Sequence, residues 1–341
     1  MPKRLLTLVI GDINRELLLY LPTFPKPGRD NPAANFAWAL GGSAFNPASM
    51  LIRLRVYTGV IGRVGRDAEG LAIIREMRKL GIQTRYIQKD SERPTGVCAI
   101  PVTDDGERTV VGARGANLGL ASDGLAEAIQ GIRHLHVSGY TLLEAKTRKV
   151  AMEALRLARE SGATTSLDFT SHGPTEVPEA IREALPHVTA ALPSAPELRL
   201  TFGIRQLSRA AEAAMEQGTE QVAATLGAGG CRVFWAGRAQ RVPPFALPVI
   251  NTCGAGDAFN AGYIFGLIEG ATPTACAVIG NAAGAVASAS EHPYQSLNRS
   301  RLAQVIRNNE TATRHKELRE STLEAAALLS RRSTKTRKRR R

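Results

Sequence analysis

The stretch Asn251-Thr252-Cys253-Gly254-Ala255-Gly256-Asp257-Ala258-Phe259 holds residues whose types and spacing can do chemistry. Its two glycines stand just ahead of Ala258 to Ile268, where apolar residues recur on a 3.6-residue period, so a tight turn opens a helix. The first N–H groups of a helix have no internal partner, and the macrodipole adds partial positive charge there. A glycine turn can aim several of those groups at one point, which makes an anion site, with phosphate the usual anion. Asp257 repels such a ligand unless it has a task. Taking the proton of an attacking hydroxyl is one. The plainer alternative is a glycine turn with Asp257 as an ordinary N-cap, and the local pattern leaves both open.

Other candidates lie far away in the chain. Asp12-Ile13-Asn14-Arg15-Glu16 follows an apolar run, Leu5 to Ile10, that ends at Gly11. That places polar groups at the carboxyl end of a buried strand, where ligands bind in open α/β sheets. Gly41-Gly42 lets backbone approach a ligand closely, and Asn46 offers both a donor and an acceptor at a helix start. Arg114 reads either as a contact to an acidic substrate or as an exposed loop residue. His136, flanked by apolar residues, reads as a satisfied interior histidine. The four cysteines, Cys98, Cys231, Cys253 and Cys276, have no spacing suited to zinc or a redox pair, as in a reduced cytoplasmic protein.

Gly254-Ala255-Gly256-Asp257-Ala258-Phe259, preceded by Thr252, resembles the second signature of the ribokinase-like (PfkB) carbohydrate kinases. Gly41-Gly42-Ser43-Ala44-Phe45-Asn46-Pro47-Ala48 resembles the first, and the resemblance runs from about Leu5 to Leu302. It implies an ATP-dependent phosphotransferase acting on a sugar hydroxyl, with Asp257 as base and Gly254, Ala255 and Gly256 completing an anion hole. Asn14, Glu16, Gly41, Gly42 and Asn46 are then sugar contacts, with Arg114 facing an acidic or phosphorylated sugar. Thr225, Gly227, Gly229 and Asn281 fall on the nucleotide side, although Asn281 reads equally as a packing residue. Glu197 organises Mg2+ through water. A homodimer through a β lid is implied as well. Departures from the family pattern are Glu16 for Asp, Ser43 for Lys, Thr170 and Ser194 for Asn, and Asn251 for Asp. Asn251 stands where the usual Asp helps to hold K+, so K+ activation is expected to be weak or absent. The departures keep two alternatives open, a nucleoside kinase of the same fold and a catalytically impaired sugar-binding relative.

The elements that must position these residues alternate. Strand-like runs at 56–61, 134–138, 164–169, 188–192 and 221–226 are interleaved with helical patterns at 68–80, 144–161 and 178–185, which implies a doubly wound, mostly parallel sheet flanked by helices. Leu17 to Leu21, Asn35 to Leu40, Thr95 to Val102 and Arg108 to Ala113 lack such alternation and read as a small antiparallel sheet, the lid in the resemblance. Cys231 to Trp235 with Arg238 to Val242 reads as a hairpin. The kinase domain is placed at 1–310, with its lid from about 12–40 and 95–116. The remaining 311–341 reads as a helical, then basic and disordered, tail.

The 341 residues, 43% of them hydrophobic, can bury a sizeable core, and no apolar run approaches a membrane span. Net charge is +13, but eight of those charges lie between Arg331 and Arg341, which leaves +5 for the rest. The body is thus mildly basic, as suits anionic ligands. Nothing in it interleaves basic and aromatic residues, so contact with nucleic acid is expected only non-specifically, through the tail.

Overall fold

Leu8, Val9 and Ile10 are fully buried because β1 (Thr7–Ile10) is covered on both faces and paired on both edges. The computed structural model describes residues 5–104, 107–170, 173–308 and 316–331. In chain order its further strands are β2 (Asn14–Leu21), β3 (Asn35–Gly41), β4 (Thr58–Gly65), β5 (Ile87–Asp90), β6 (Gly96–Thr103) and β7 (Val111–Ala113). They continue with β8 (His134–Ser138), β9 (Thr164–Asp168), β10 (Ala190–Ala191), β11 (Gln221–Thr225), β12 (Cys231–Trp235) and β13 (Arg238–Val242). Nine form one sheet in the order β13-β12-β11-β10-β9-β8-β1-β4-β5. The seven strands from β11 to β5 run parallel, and β12 and β13 add the expected antiparallel hairpin at one edge.

Alternate residues of each strand enter separate cores. Val9, Val60, Ala223 and Val233 face one layer of helices, while Leu8, Ile10, Leu135, Val137 and Val222 face the other. That arrangement is why these strands read as continuous apolar runs. The first layer includes helices Ala255–Ile268, Pro273–Ser288, Arg299–Arg307 and Lys316–Ser330.

The second sheet has the order β3-β2-β6-β7. Its central pair, β2 with β6, is parallel, while the two outer pairings are antiparallel. The register puts Asn14, Glu16 and Cys98 on one face and Leu17, Leu19, Phe36, Trp38, Val97, Ala99 and Val111 on the other. The Asp105-Gly106 part of the expected lid turn lies outside the described residues.

The packed body also runs past residue 310, where the sequence reading ended the domain. Helix Lys316–Ser330 buries Leu318, Ala325, Ala326, Leu328 and Leu329 in the first core, and Glu324 accepts two hydrogen bonds from Thr272. This stretch is therefore part of the fold, and the basic run beyond Arg331 lies outside the described residues. Among the described residues no helix is long and apolar enough to cross a membrane.

Candidate active site

The polar residues singled out in the sequence converge at the carboxyl ends of the parallel strands. Helix Ala255–Ile268 opens on Gly254, whose φ of 68° lies in the left-handed region that favours glycine. A Cβ built on Gly256 meets nothing within 4 Å, so the first turn faces open space. Asp257 lies in that turn, and its Oδ2 accepts a 3.0 Å hydrogen bond from Asn46 Nδ2. Asn46 belongs to helix Phe45–Arg53, directly after the first glycine pair. The two glycine-rich motifs, about 210 residues apart, thus meet at one carboxylate. Asn46 Oδ1 is buried and has no donor among the described residues. A substrate hydroxyl can supply one.

Half-buried Asp257 is raised to about 6, because protein replaces water around it, while the Asn46 bond and the charge of Arg108 pull the other way. Burial also raises Glu16. The Gly42 N–H opposes that shift, the Asp257 charge adds to it, and Arg108 opposes it. Glu16 lies over Gly41, where a Cβ would sit 1.7 Å from Oε1. Gly42, at φ 103°, turns where a Cβ would strike the Asp12 carbonyl. Both glycines are thus dictated by what approaches them.

Asn14 completes this wall. Its Oδ1 accepts from Asn117 Nδ2 at 2.9 Å, and Asn117 also fixes the N–H and C=O of Ile13. On the phosphate side, burial keeps Asp168 well above the usual carboxylate range, helped by Glu197 and Asp257, while Asn260 and the Thr170 N–H bond it. Thr170 itself is left-handed, at φ 59°, a conformation that asparagine tolerates better than a β-branched residue.

Three of these residues already have partners. Arg114 does not reach out for an acidic substrate: Nε and Nη2 form a bidentate pair with Asp12, at 2.8 and 2.9 Å. Only its Nη1, buried and without an acceptor among the described residues, is left. Asn281 is the packing residue, since its Nδ2 donates to the Val242 and Pro243 carbonyls at 3.0 and 3.1 Å. Glu197 Oε2 accepts the Ser194 N–H at 2.7 Å within a capping box, so serine here caps a helix. Thr225, Gly227 and Gly229 lie at the carboxyl end of β11 and in the short turn after it, the same end at which β9 presents Asp168.

The chain matches the pfkB family carbohydrate kinase profile over residues 5–299. It belongs to that family. This kinase is similar to the ribokinase of Haemophilus influenzae, with 27% identity over 295 residues, covering 85% of this chain and 94% of that one. It is also similar to an ATP-dependent ribose-1-phosphate kinase of Halopiger xanaduensis, at 28% identity over 74% of this chain and 82% of that one. Among solved structures, Arabidopsis thaliana ribokinase complexed with ribose and ATP has a TM-score of 0.78 at 22% identity, covering 89% of this chain and 99% of that one. A putative ribokinase II from Escherichia coli, in complex with ATP and Mg2+, has a TM-score of 0.79 at 21% identity over the same shares. The ribokinase fold and a carbohydrate kinase activity follow from these matches.

Sequence reading missed Arg108 and gave Asp12 no partner. Arg108 is an exposed residue on the β6–β7 connection whose charge reaches both Glu16 and Asp257. Nothing local marks it, because its role arises only when the lid folds over the site. Asp12 was within reach, since an Asp directly after a buried strand needs a partner. A broad groove of about 1340 Å3, lined by Arg55, Arg78, Arg85 and Lys89, lies at the opposite end of β4. Its Arg55 and Arg78 stand at the carboxyl ends of helices Phe45–Arg53 and Ala68–Lys79, where cations complement the exposed carbonyls.

Proposed function

We propose that this kinase transfers the γ-phosphoryl group of ATP to a hydroxyl of an uncharged sugar, with Asp257 as general base. The observation that carries the reading is the Asn46–Asp257 contact beside the open first turn of helix Ala255–Ile268. Asn46 aims the carboxylate, and the N–H groups of Gly254, Gly256 and Asp257, unlike that of Ala255, which donates to the Thr252 carbonyl, would face the place where a phosphoryl group develops charge. With a pKa of about 6, Asp257 is ionised at neutral pH yet basic enough to take the hydroxyl proton as attack proceeds. Glu16, Asn14 and the free Asn46 Oδ1 hold the sugar's other hydroxyls. The Asp12–Arg114 pair is neutral as a unit, so it favours an uncharged sugar over a sugar phosphate.

The relatives solved with ATP, and with ATP and Mg2+, support the same ligands here. The open glycine turn suits the phosphates, and Glu197, whose Oε1 is left by the capping box, would hold Mg2+ through water. Bound Mg2+-ATP supplies the transferable group and neutralises part of its charge. Thr225, Gly227 and Gly229 border the nucleotide. The outer lid face carries exposed Phe36, Trp38, Val97 and Val111, which fits a second copy of this chain. Four free cysteines fit a cytoplasmic setting.

The test is Asp257→Asn against a panel of sugars and nucleosides. Turnover should fall by roughly 10² to 10⁴ while ATP still binds. In the unmodified enzyme kcat/KM should decline as pH drops below about 6, because protonation removes the base. Full activity of the Asn variant, with reversion to Asp excluded by mass spectrometry, would refute the assignment.

A further inference from the structure

Tyr294 belongs to no motif, yet it lies between the two that build the site. It sits in the short helix Pro293–Ser296, and its ring lies against Gly254, where a Cβ would come within 3.0 Å of Cε1. On its other side the ring meets Phe45 edge-on, with centroids 6.2 Å apart. Phe45 directly precedes Asn46, which holds Asp257. The ring is therefore clamped between the glycine turn and the helix that orients the base.

Its hydroxyl is under-used. The one polar contact of Oη among the described residues is Cys253 Sγ at 3.8 Å, a weak partner in the same glycine turn. A tyrosine hydroxyl ordinarily has a firm hydrogen-bond partner when buried, and half-buried Tyr294 has this thiol instead. Burial, and then the charges of Asp257 and Glu16, push the phenol well above its usual range, so it remains an O–H donor. Contact with Gly254 and Cys253 sets the phenol in the glycine turn that opens the helix bearing Asp257. A half-buried donor in that turn, with a thiol as its partner, is free to turn to an acceptor that a bound ligand brings.

We propose that Tyr294 is a catalytic residue: its hydroxyl donates a hydrogen bond to an oxygen of the phosphoryl group in transit. It thereby adds a side-chain donor to those supplied by the backbone of the turn. This rests on the kinase reading. In the step itself the bond from the γ-phosphorus to the ADP oxygen breaks and a bond to the sugar oxygen forms. The sugar proton goes to Asp257, and Tyr294 keeps its own proton.

Tyr294→Phe, made in the full chain, keeps the ring and its packing. It should lower kcat about 10- to 100-fold, the range for one hydrogen bond to a charged group, with KM for sugar and ATP within about twofold. Affinity for ADP, Mg2+ and aluminium fluoride with sugar, a mimic of the transferring group, should fall by the same factor, while affinity for ADP alone and the melting temperature hold. An active parent whose Phe variant keeps its kcat overturns the proposal. So does a change confined to the KM for sugar, which would make Tyr294 a sugar contact. A parent that phosphorylates no sugar or nucleoside overturns the kinase reading itself, and this assignment with it.

Discussion

Asn46 and Asp257 show how much one side chain can decide. Truncating Asn46 would leave Asp257 less constrained and would remove a hydrogen bond that favours its charged form. Asn251 matters at the same scale. Its Oδ1 accepts the Cys253 N–H at 2.8 Å, which shapes the turn and engages the one side-chain oxygen that could face a cation. It is also neutral, so the attraction a carboxylate would exert on K+ is missing. K+ titrated at constant ionic strength should therefore change kcat by less than about twofold, and Asn251→Asp should introduce or strengthen activation. Strong, saturable activation of the unmodified enzyme would show that backbone oxygens build the cation site alone. The sequence marked Asn46 and Asp257 as candidates, since spacing and type are local properties, but not their contact across about 210 residues. Hidden from it were the commitments of Arg114 and Asn281, whose partners Asp12 and Val242 lie 102 and 39 residues away.

β8 and β9 carry a feature unrelated to the site. His134 contacts Thr164 Oγ1 at 2.8 Å, and His134 and His136 share Ser166 Oγ, at 2.9 and 2.8 Å. Both imidazoles are fully enclosed, and burial lowers both, His136 to about 4 and His134 well below its usual value, the latter helped by its neighbour. In the unfolded chain each titrates near 6.5. The unfolded state therefore binds more protons between those values, and stability should be complete above about pH 6.5 and fall steadily towards pH 4. Chemical denaturation between pH 7.5 and 4.5 measures the trend. NMR should find neither ring titrating above pH 5, and a midpoint near 6.5 in the folded protein would contradict the buried network. At this scale the strands and long helices were legible, because buried parallel strands are apolar throughout. Strand β5 (Ile-Gln-Lys-Asp) was not, since an edge strand with three polar residues lacks that signal. The parallel pairing of β2 with β6 also escaped notice, because register between distant strands leaves no local trace.

Over the whole molecule two surfaces invite measurement. Trp38 and Phe36 lie on the outer lid face with more than half of their surface exposed. Trp38→Glu should shift the sedimentation profile from dimer to monomer, whereas a monomeric unmodified chain would dispose of the lid interface. Ending the chain after Arg331 should leave the melting temperature unchanged. Ending it before Lys316 should lower it markedly, because the lost helix buries three leucines and two alanines, and Leu328→Ala alone should cost about 2–5 kcal/mol in a denaturation experiment. Equal stability of both truncations would mean that the helix is not held. The position of that helix has a further consequence, for biosynthesis. The core that holds Ala190, Ala223 and Val233 takes helices Phe45–Arg53 and Ala68–Lys79 from the early part of the chain, but its long helices Ala255–Ile268, Pro273–Ser288 and Lys316–Ser330 all come after residue 254, while the opposite face is covered by helices made earlier. A ribosome builds the amino-terminal part first. Until the last quarter of the polypeptide emerges, one side of the half-finished sheet is only partly covered, so nascent chains stalled near residue 250 should recruit chaperones far more than released full-length protein.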